Sequence, residues 1–331
     1  SFRFDDNQLR AQPRTHDYLV QYNESTYHFL HRLLAAEGIF YYFVHTATDA
    51  ILTLGDSNNS YNSSQKTNYQ TQTDSINSPV LNNWQQNTTG YNANVTATDH
   101  QYTQSTATLQ QQKQHDNDPI AKQSNWHLHS PNASLSNSLQ QQLDHSESQH
   151  QSIQTTGGSP HIQPGYLIDL ADSNDNNQIG SYVIQRVTHY VTDITPLQDN
   201  NAQTDSDSQS HYHNSFKATN AKHTLRPATT TAPQPGLQSA IITTNNPENT
   251  QPVDVDELGR SCVQYHWQRD KTPSNRLRRL HDCASNSAGH FFHPRVDYET
   301  LIDFTHNHLE QPLMVANLYN PTQPHAYEPN N

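Results

Sequence analysis

Cysteine is nearly absent, with Cys262 and Cys283 the two examples in 331 residues. So few thiols in so long a chain exclude a disulfide framework and fit a reducing compartment, although the two could pair in principle. Methionine occurs once, at Met314, and the chain opens on Ser1, so it is expected to be a fragment or a trimmed form of a longer protein. No apolar run approaches the roughly 20 residues needed to span a bilayer, and no export-signal core follows Ser1. A soluble protein is expected. Positive charge is also scarce. Lys and Arg number 18 against 31 Asp and Glu, for a formal net charge of −13, and Arg276, Arg278 and Arg279 form the one basic cluster. Phosphate recognition needs grouped Lys and Arg, so no nucleic-acid partner is expected.

Motifs of catalysis and metal binding are missing as well. There is no His-Glu-x-x-His, Cys-x-x-Cys, EF-hand loop, nucleophile elbow or phosphate-binding glycine loop. Histidine is abundant, with 22 copies, and His127/His129, His211/His213 and His306/His308 have the i, i+2 spacing that puts two imidazoles on one face of a strand. Each pair lacks the third and fourth convergent ligands that zinc requires, so no metal and no cofactor are expected. Asp254 and Asp256 read as solvated carboxylates beside a turn, since nothing else lines a cleft around them. The chain is expected not to be an enzyme.

What the chain has instead is uncharged polarity. Hydrophobic residues make up 31%, and mean hydropathy is −0.97; Asn, Gln, Ser, Thr and His fill the difference. Such a composition favours polar, variable connections between the blocks where aliphatic and aromatic residues gather.

The first block is residues 1–56. Tyr18 to Tyr22 alternates like a strand. Ser25 is placed to cap a helix whose Tyr27, Leu30, Leu33 and Leu34 share a stripe and which closes at Gly38. Ile39 to Val44 and Ile51 to Leu54 then read as a hairpin around a Thr46–Asp49 turn. Residues 57–79 read as a loop. Val80 to Trp84 and Asn92 to Asp99 read as strands, and Leu135, Leu139 and Leu143 predict a short helix over 135–148. Pro164 and Gly165 form a turn before a strand at Tyr166 to Leu170. Further strands are predicted at Tyr182 to His189 and Tyr212 to Ala218, with a polar loop from Asp193 to Gln209. Thr229 to Pro235 is an extended Thr/Pro linker, and Gly236 to Thr243 starts a second series of strands.

One stretch of that second series is denser than the rest. Val253 to Trp267 reads as two short strands about the turn formers Asp256, Glu257, Leu258 and Gly259, with Val263, Tyr265 and Trp267 on an apolar face and Cys262, Gln264 and His266 on the other. A hairpin with a half-buried face needs further strands or a partner chain to cover it.

The residues of that stretch, Asp256, Glu257, Gly259 and Arg260 followed by Val263, Gln264, Tyr265, His266, Trp267 and Arg269, resemble the signature that opens the OB-fold domain of VgrG, the spike-tip family of bacterial type VI secretion systems and relatives of phage tail hubs. Pro294 and Arg295 continue it, as do the runs Glu299 to Phe304 and Gln311 to Asn320. An earlier run resembles the family's tail-hub portion, through Tyr18, Val20, Gln21, Tyr22, Glu24, Phe29, Leu30, Arg32, Glu37, Gly38, Tyr41, Tyr42 and Phe43. The strand at Tyr166 and the Leu225, Arg226, Pro227 exit fall in the same order.

The resemblance implies a mainly β protein. Residues 1–75 would be a partial tail-hub-like segment of strand, helix and hairpin, 76–228 a tail-hub-like β-barrel with polar loops, 229–240 a linker, 241–320 a five-stranded OB-fold at the spike base, and 321–331 a tail leading to a β-helix absent here. It implies a homotrimeric hub that caps a contractile tube built of an Hcp-like tail-tube protein. Such a hub carries a tip-capping PAAR-like protein and effectors, contacts a target membrane in transit, and is assembled in the cytoplasm before secretion through the type VI apparatus. A phage or tailocin baseplate spike, or an OB-fold ligand-binding module, is the alternative. The chain departs from the family between Asp270 and Gly289, where the expected tryptophans are missing, and at Asp297, which stands in a turn that usually carries glycine.

Overall fold

The computed structural model describes residues 3–10, 12, 15–16, 18–70, 81–100, 108–114, 122–127, 135–172, 176–192, 211–230, 232–233, 235–246, 248, 250–270, 272–285 and 287–325. The expected loop Asp193–Gln209, together with Asp17, His129 and the end of the tail, lies outside them. The chain divides into two compact units, residues 1–14 with 33–230, and residues 15–32 with 231–331. This division differs from one that follows chain order, because residues 15–32 belong with the C-terminal residues.

In the larger unit, β1 (Arg3–Asp5) runs parallel to β3 (Ala50–Gly55), which pairs antiparallel with β2 (Phe40–His45). Ahead of β2 lies helix α1 (Thr26–Ala36), inside which the division between the units falls. Ser25 caps it as expected, its Oγ accepting the His28 N–H at 3.2 Å. The helix ends in a Schellman arrangement, with Gly38 N–H on Ala35 O, Ile39 N–H on Leu34 O at 2.8 Å, and Gly38 in the left-handed region at φ 69°. Tyr27 and Leu30 of the predicted stripe are exposed, whereas Arg32 and Ala35 are buried.

The main sheet has six strands in the order β4 (Asn62–Gln70), β10 (Tyr166–Asp172), β11 (Gly180–Thr192), β12 (His211–Asn220), β9 (Gln151–Gly157) and β5 (Leu81–Thr88). Its open, half-barrel form has polar strands at both edges. The register places Ile168, Val183, Ile184, Phe216 and Ala218 in one core with Phe40, Tyr42 and Tyr61. A smaller sheet orders β7 (Thr108–Gln114), β6 (Asn92–His100) and β8 (Lys122–His127), and helix α2 (Leu135–His150) lays Leu139 and Leu143 against Val95 and Ala97. Leu139 and Leu143 of the thin leucine stripe are therefore buried on one face, as their spacing requires.

Three readings are corrected here. Part of the predicted loop at 57–79 is strand β4, paired in parallel with β10; its Asn-Ser-Ser-Gln-Lys-Thr run carries no hydrophobic alternation to announce it. Strands β7, β8 and β9 were not read from sequence for the same reason. Tyr18 to Tyr22 is not a strand.

Gly165 sits at φ 83°, and a Cβ there would overlap the Tyr42 ring. Tyr42 is itself buried and donates from its hydroxyl to Ser60 O at 2.9 Å. Left-handed backbone costs a residue with Cβ about 1–2 kcal/mol before any clash. Gly165→Ala is therefore expected to destabilise the larger unit by at least that much. A lower urea midpoint, with faster amide exchange in β10, is the readout.

The second unit is a five-stranded barrel in the order β14 (Cys262–Tyr265), β13 (Gln238–Thr243), β16 (Glu299–Phe304), β17 (Pro312–Leu318) and β15 (Arg278–Arg279). It closes where Ser261 and Leu277 exchange backbone hydrogen bonds of 3.2 and 2.8 Å. Residues 253–255, expected as the first arm of a hairpin, are not a strand, and β14 pairs with β13 instead.

Candidate functional site

The sequence signature lands on the turn and strand that close the barrel. Asp256 organises the turn alone: its Oδ1 accepts the Leu258 and Arg260 N–H groups at 3.1 and 2.8 Å, and its Oδ2 accepts Arg260 Nε at 2.7 Å. Gly259 takes φ 71°, with the Phe291 ring where a Cβ would be. Glu257 is exposed. Beside the turn, Asp254 receives Arg276 Nη2 at 2.7 Å and the Thr244 hydroxyl at 2.6 Å, and Arg276 Nη1 also donates to Arg260 O at 3.1 Å. The carboxylates that looked solvated in sequence are thus tied to the closure of the barrel. Arg276, read there as part of a basic cluster, is an ion-pair partner.

Beyond the turn, Val263 and Tyr265 enter the core with Ala240, Ile242, Leu277, Ile302 and Phe304. Gln264 donates to Asp270 O at 3.0 Å. The strand stops at Tyr265, so Trp267 leaves the alternation. It is 39% exposed, stacks on Tyr265 at 5.0 Å, lies 5.4 Å from Tyr22 and donates from its indole to Gln238 at 2.8 Å. His266 is exposed with its ring 3.8 Å from Glu299, and Arg269 and Arg295 are exposed. Pro294 is buried, and the next residues return to the barrel through Val296 N–H on Pro252 O and Asp297 N–H on Ile242 O. Asp297 adopts φ 70°, so it occupies the left-handed position that glycine would otherwise fill.

Residues 18–32 complete this unit in a way the sequence did not suggest. Val20 is buried in the barrel core, with Tyr18 and Tyr22 packed against it. Arg32 fixes the segment: its Nη2 reaches Glu24 at 2.9 Å and Val20 O at 3.3 Å, its Nη1 reaches Glu310 at 3.4 Å, and its guanidinium lies 5.4 Å from the Phe29 ring. A sequence-distant segment thus covers the barrel's apolar surface.

Burial alone would push the Asp254 carboxyl up, but Thr244 and Arg276 outweigh it and hold it below the usual carboxylate range. Asp256 is lowered in the same way, by Arg260 against burial. Glu299 is lowered chiefly by the Asn320 amide. A carboxylate whose folded value is depressed contributes stability that is complete above its unfolded value and is lost as pH falls through the folded one. The barrel is therefore expected to hold its melting temperature from pH 7 down to about 4 and to lose it below that. Thermal melts down this series should show a shallower acid slope for Asp254→Asn.

Among the described residues no group of three or more His, Cys, Asp or Glu is placed to hold a metal ion. His213 stacks on Tyr190 at 4.6 Å, and both cysteines are free, Cys262 buried and Cys283 exposed.

Comparison with known proteins agrees with this geometry. The family model described as the phage tail baseplate hub (GPD) matches residues 1–195. The chain belongs to the phage tail baseplate hub family. A second model, the type VI secretion system/phage-baseplate injector OB domain, matches residues 242–319, the five-stranded barrel of this hub protein. The type VI secretion system spike protein VgrG4b of Pseudomonas aeruginosa is 26% identical over 99% of the hub chain, which spans 42% of that relative. An Escherichia coli type VI secretion component, described as similar to the T4 bacteriophage tail proteins gp27 and gp5, has the same fold. It superposes with a TM-score of 0.60 at 14% identity, over 96% of this chain and 66% of the other. A chain of the Francisella PdpA–VgrG complex gives a TM-score of 0.54 at 11% identity, covering 95% and 54% of the two chains.

Proposed function

We propose that this chain is the hub and base of a type VI secretion spike. Three copies cap the tail tube and transmit the thrust of sheath contraction to a target membrane. One observation carries the reading: a tail-hub half-barrel and an injector-type OB barrel follow each other in a single chain, and two family models match them in that order. The barrel signature is then structural. Asp256 and Arg260 shape the closing turn, Gly259 admits Phe291, and Val263 and Tyr265 fill the core beside Asp254 and Arg276.

The role is mechanical rather than enzymatic. Its partners are two further copies, an Hcp-like tail-tube protein, a PAAR-like tip protein and effectors, and the assembly forms in the cytoplasm before leaving through the apparatus. The spike character of VgrG4b and the likeness to a chain of the PdpA–VgrG complex support this. A phage or tailocin baseplate is the second reading, favoured by the hub family itself.

Light scattering coupled to size exclusion, over a concentration series of the full chain, is the direct test. Three times the chain mass is expected. A monomer at every concentration would count against a trimeric hub.

A further inference from the structure

The Thr/Pro linker was the joint expected between the two compact units, yet the chain passes from one to the other three times, at 14/15, 32/33 and 230/231. Residues 15–32 belong to the barrel unit while both of their ends continue into the larger one, and α1 itself runs on into Leu33–Ala36. The segment is braced on itself. Asn23 turns it at φ 48°, the Gln21 amide donates to Glu24 O at 3.0 Å, and Arg32 Nη2 returns to Glu24 at 2.9 Å. The side chains of that ion pair are 8% and 6% exposed, so it is withdrawn from water. The outward side of the segment engages the C-terminal residues: Val20 is buried in the barrel core, Tyr22 lies 5.4 Å from Trp267, and Arg32 Nη1 reaches Glu310 at 3.4 Å. Burial pushes the Tyr18 phenol up to about 12, and the Asp270 carboxylate adds to the shift. The linker offers no such grip, since Ala228, Thr229 and Thr230 are exposed and belong to no helix or strand.

We infer that residues 15–32 are a strap that anchors the barrel without a covalent bond, so that the barrel stays attached when the 229–235 linker is cut. The barrel face under Val20 is then a peptide-binding site, and its occupant is this chain's own Tyr18–Arg32 segment. Two physical terms favour tight attachment. An aliphatic side chain in the core and aromatic rings beside it remove apolar surface from water. The brace from Gln21 to Arg32 is local, so it holds the strap in its seated form beforehand and lowers the ordering cost of seating it. The inference concerns a single copy of the chain, so it stands or falls independently of the trimeric hub reading.

The test inserts a specific protease recognition sequence between Thr229 and Thr230 of the full chain, cleaves the folded protein and follows the two fragments by native size exclusion over a dilution series. The wild-type fragments are expected to travel together and to part only in urea. Arg32→Ala strands the buried Glu24 carboxylate and should raise the dissociation constant of the cut pair at least about a hundredfold. Val20→Ala, the milder truncation, should raise it about tenfold. In the uncut chain both variants should keep the amide protection of β10, β11 and β12, because neither side chain belongs to the larger unit. Wild-type fragments that separate under native conditions would overturn the inference. So would fragments that stay together unchanged in both variants, since contacts other than the strap would then hold the barrel.

Discussion

Arg226→Ala is expected to be the most damaging single substitution in the larger unit, at about 3–5 kcal/mol, the usual cost of removing one partner from a largely buried charged network. The Arg226 side chain joins three pieces of chain. Its Nε meets Asp144 of α2 at 3.1 Å, and its Nη1 donates to Gly38 O, at the end of α1, and to Asp56 O, just after β3, each at 2.8 Å. Its own carbonyl accepts His145 Nδ1 at 2.7 Å. Next to it, Leu225 N–H donates to the Tyr61 hydroxyl at 2.8 Å, which donates in turn to His223 O at 2.8 Å. Burial pushes the Tyr61 phenol up to about 12, so it stays protonated and keeps that donor across the neutral range. Truncation of Arg226 strands the Asp144 carboxylate and two carbonyls together. Amide exchange should report it as lost protection at the C-terminal turn of α1 and along α2, while β13, β14 and β16 stay protected. Arg226→Lys should recover only part of the loss, because one ammonium cannot reproduce the fork that meets Asp144 and two carbonyls at once. Full stability of the alanine variant would sink the assignment.

The counterpart in the barrel is Tyr265→Ala, with about 3–5 kcal/mol expected from emptying a ring-sized core site. Tyr265 is 2% exposed and lies between the barrel interior and Trp267, parallel to Phe304 at 6.5 Å. Its hydroxyl is buried with no hydrogen-bond partner among the described residues, and burial raises its pKa. The two halves of the side chain should therefore behave oppositely. Tyr265→Phe removes an unpaired buried hydroxyl and leaves the ring, so it is expected to be neutral or mildly stabilising. Chemical denaturation followed by amide exchange in β13, β14 and β16 separates the cases. A Phe variant as unstable as the Ala variant would show that the hydroxyl, not the ring, matters.

Much of this was legible because it is local. Ser25 and Gly38 bracket α1 through backbone geometry that a few neighbours decide. The alternation from Tyr166 to Leu170 reports one buried face, whereas Gly180–Thr192 buries Tyr182, Val183 and Ile184 in succession. Leu139 and Leu143 of α2 fall on one stripe and are buried there. The Asp256–Arg260 turn is specified by its own five residues.

The remainder depended on partners remote in sequence. Strands β4, β7 and β9 are Gln-, Asn-, Ser- and Thr-rich, so their place in a sheet is set by the neighbours whose backbone groups they satisfy, and no side-chain pattern marks it. Val20 alternates with its neighbours as a strand would, yet its segment becomes a cover for a barrel formed more than two hundred residues later. Asp254 and Arg276, like Arg226 and its three acceptors, become partners only once closure brings distant backbone together.

By itself, then, the sequence determined the mainly β character, the helix ends, the left-handed turns and the resemblance to tail hubs, all properties of near neighbours or of whole motifs. Only the tertiary structure decided which polar strands join the sheet, what covers the barrel and which charges are paired. Those depend on burial and on long-range hydrogen bonding, and neither is a property of a residue and its neighbours in the chain.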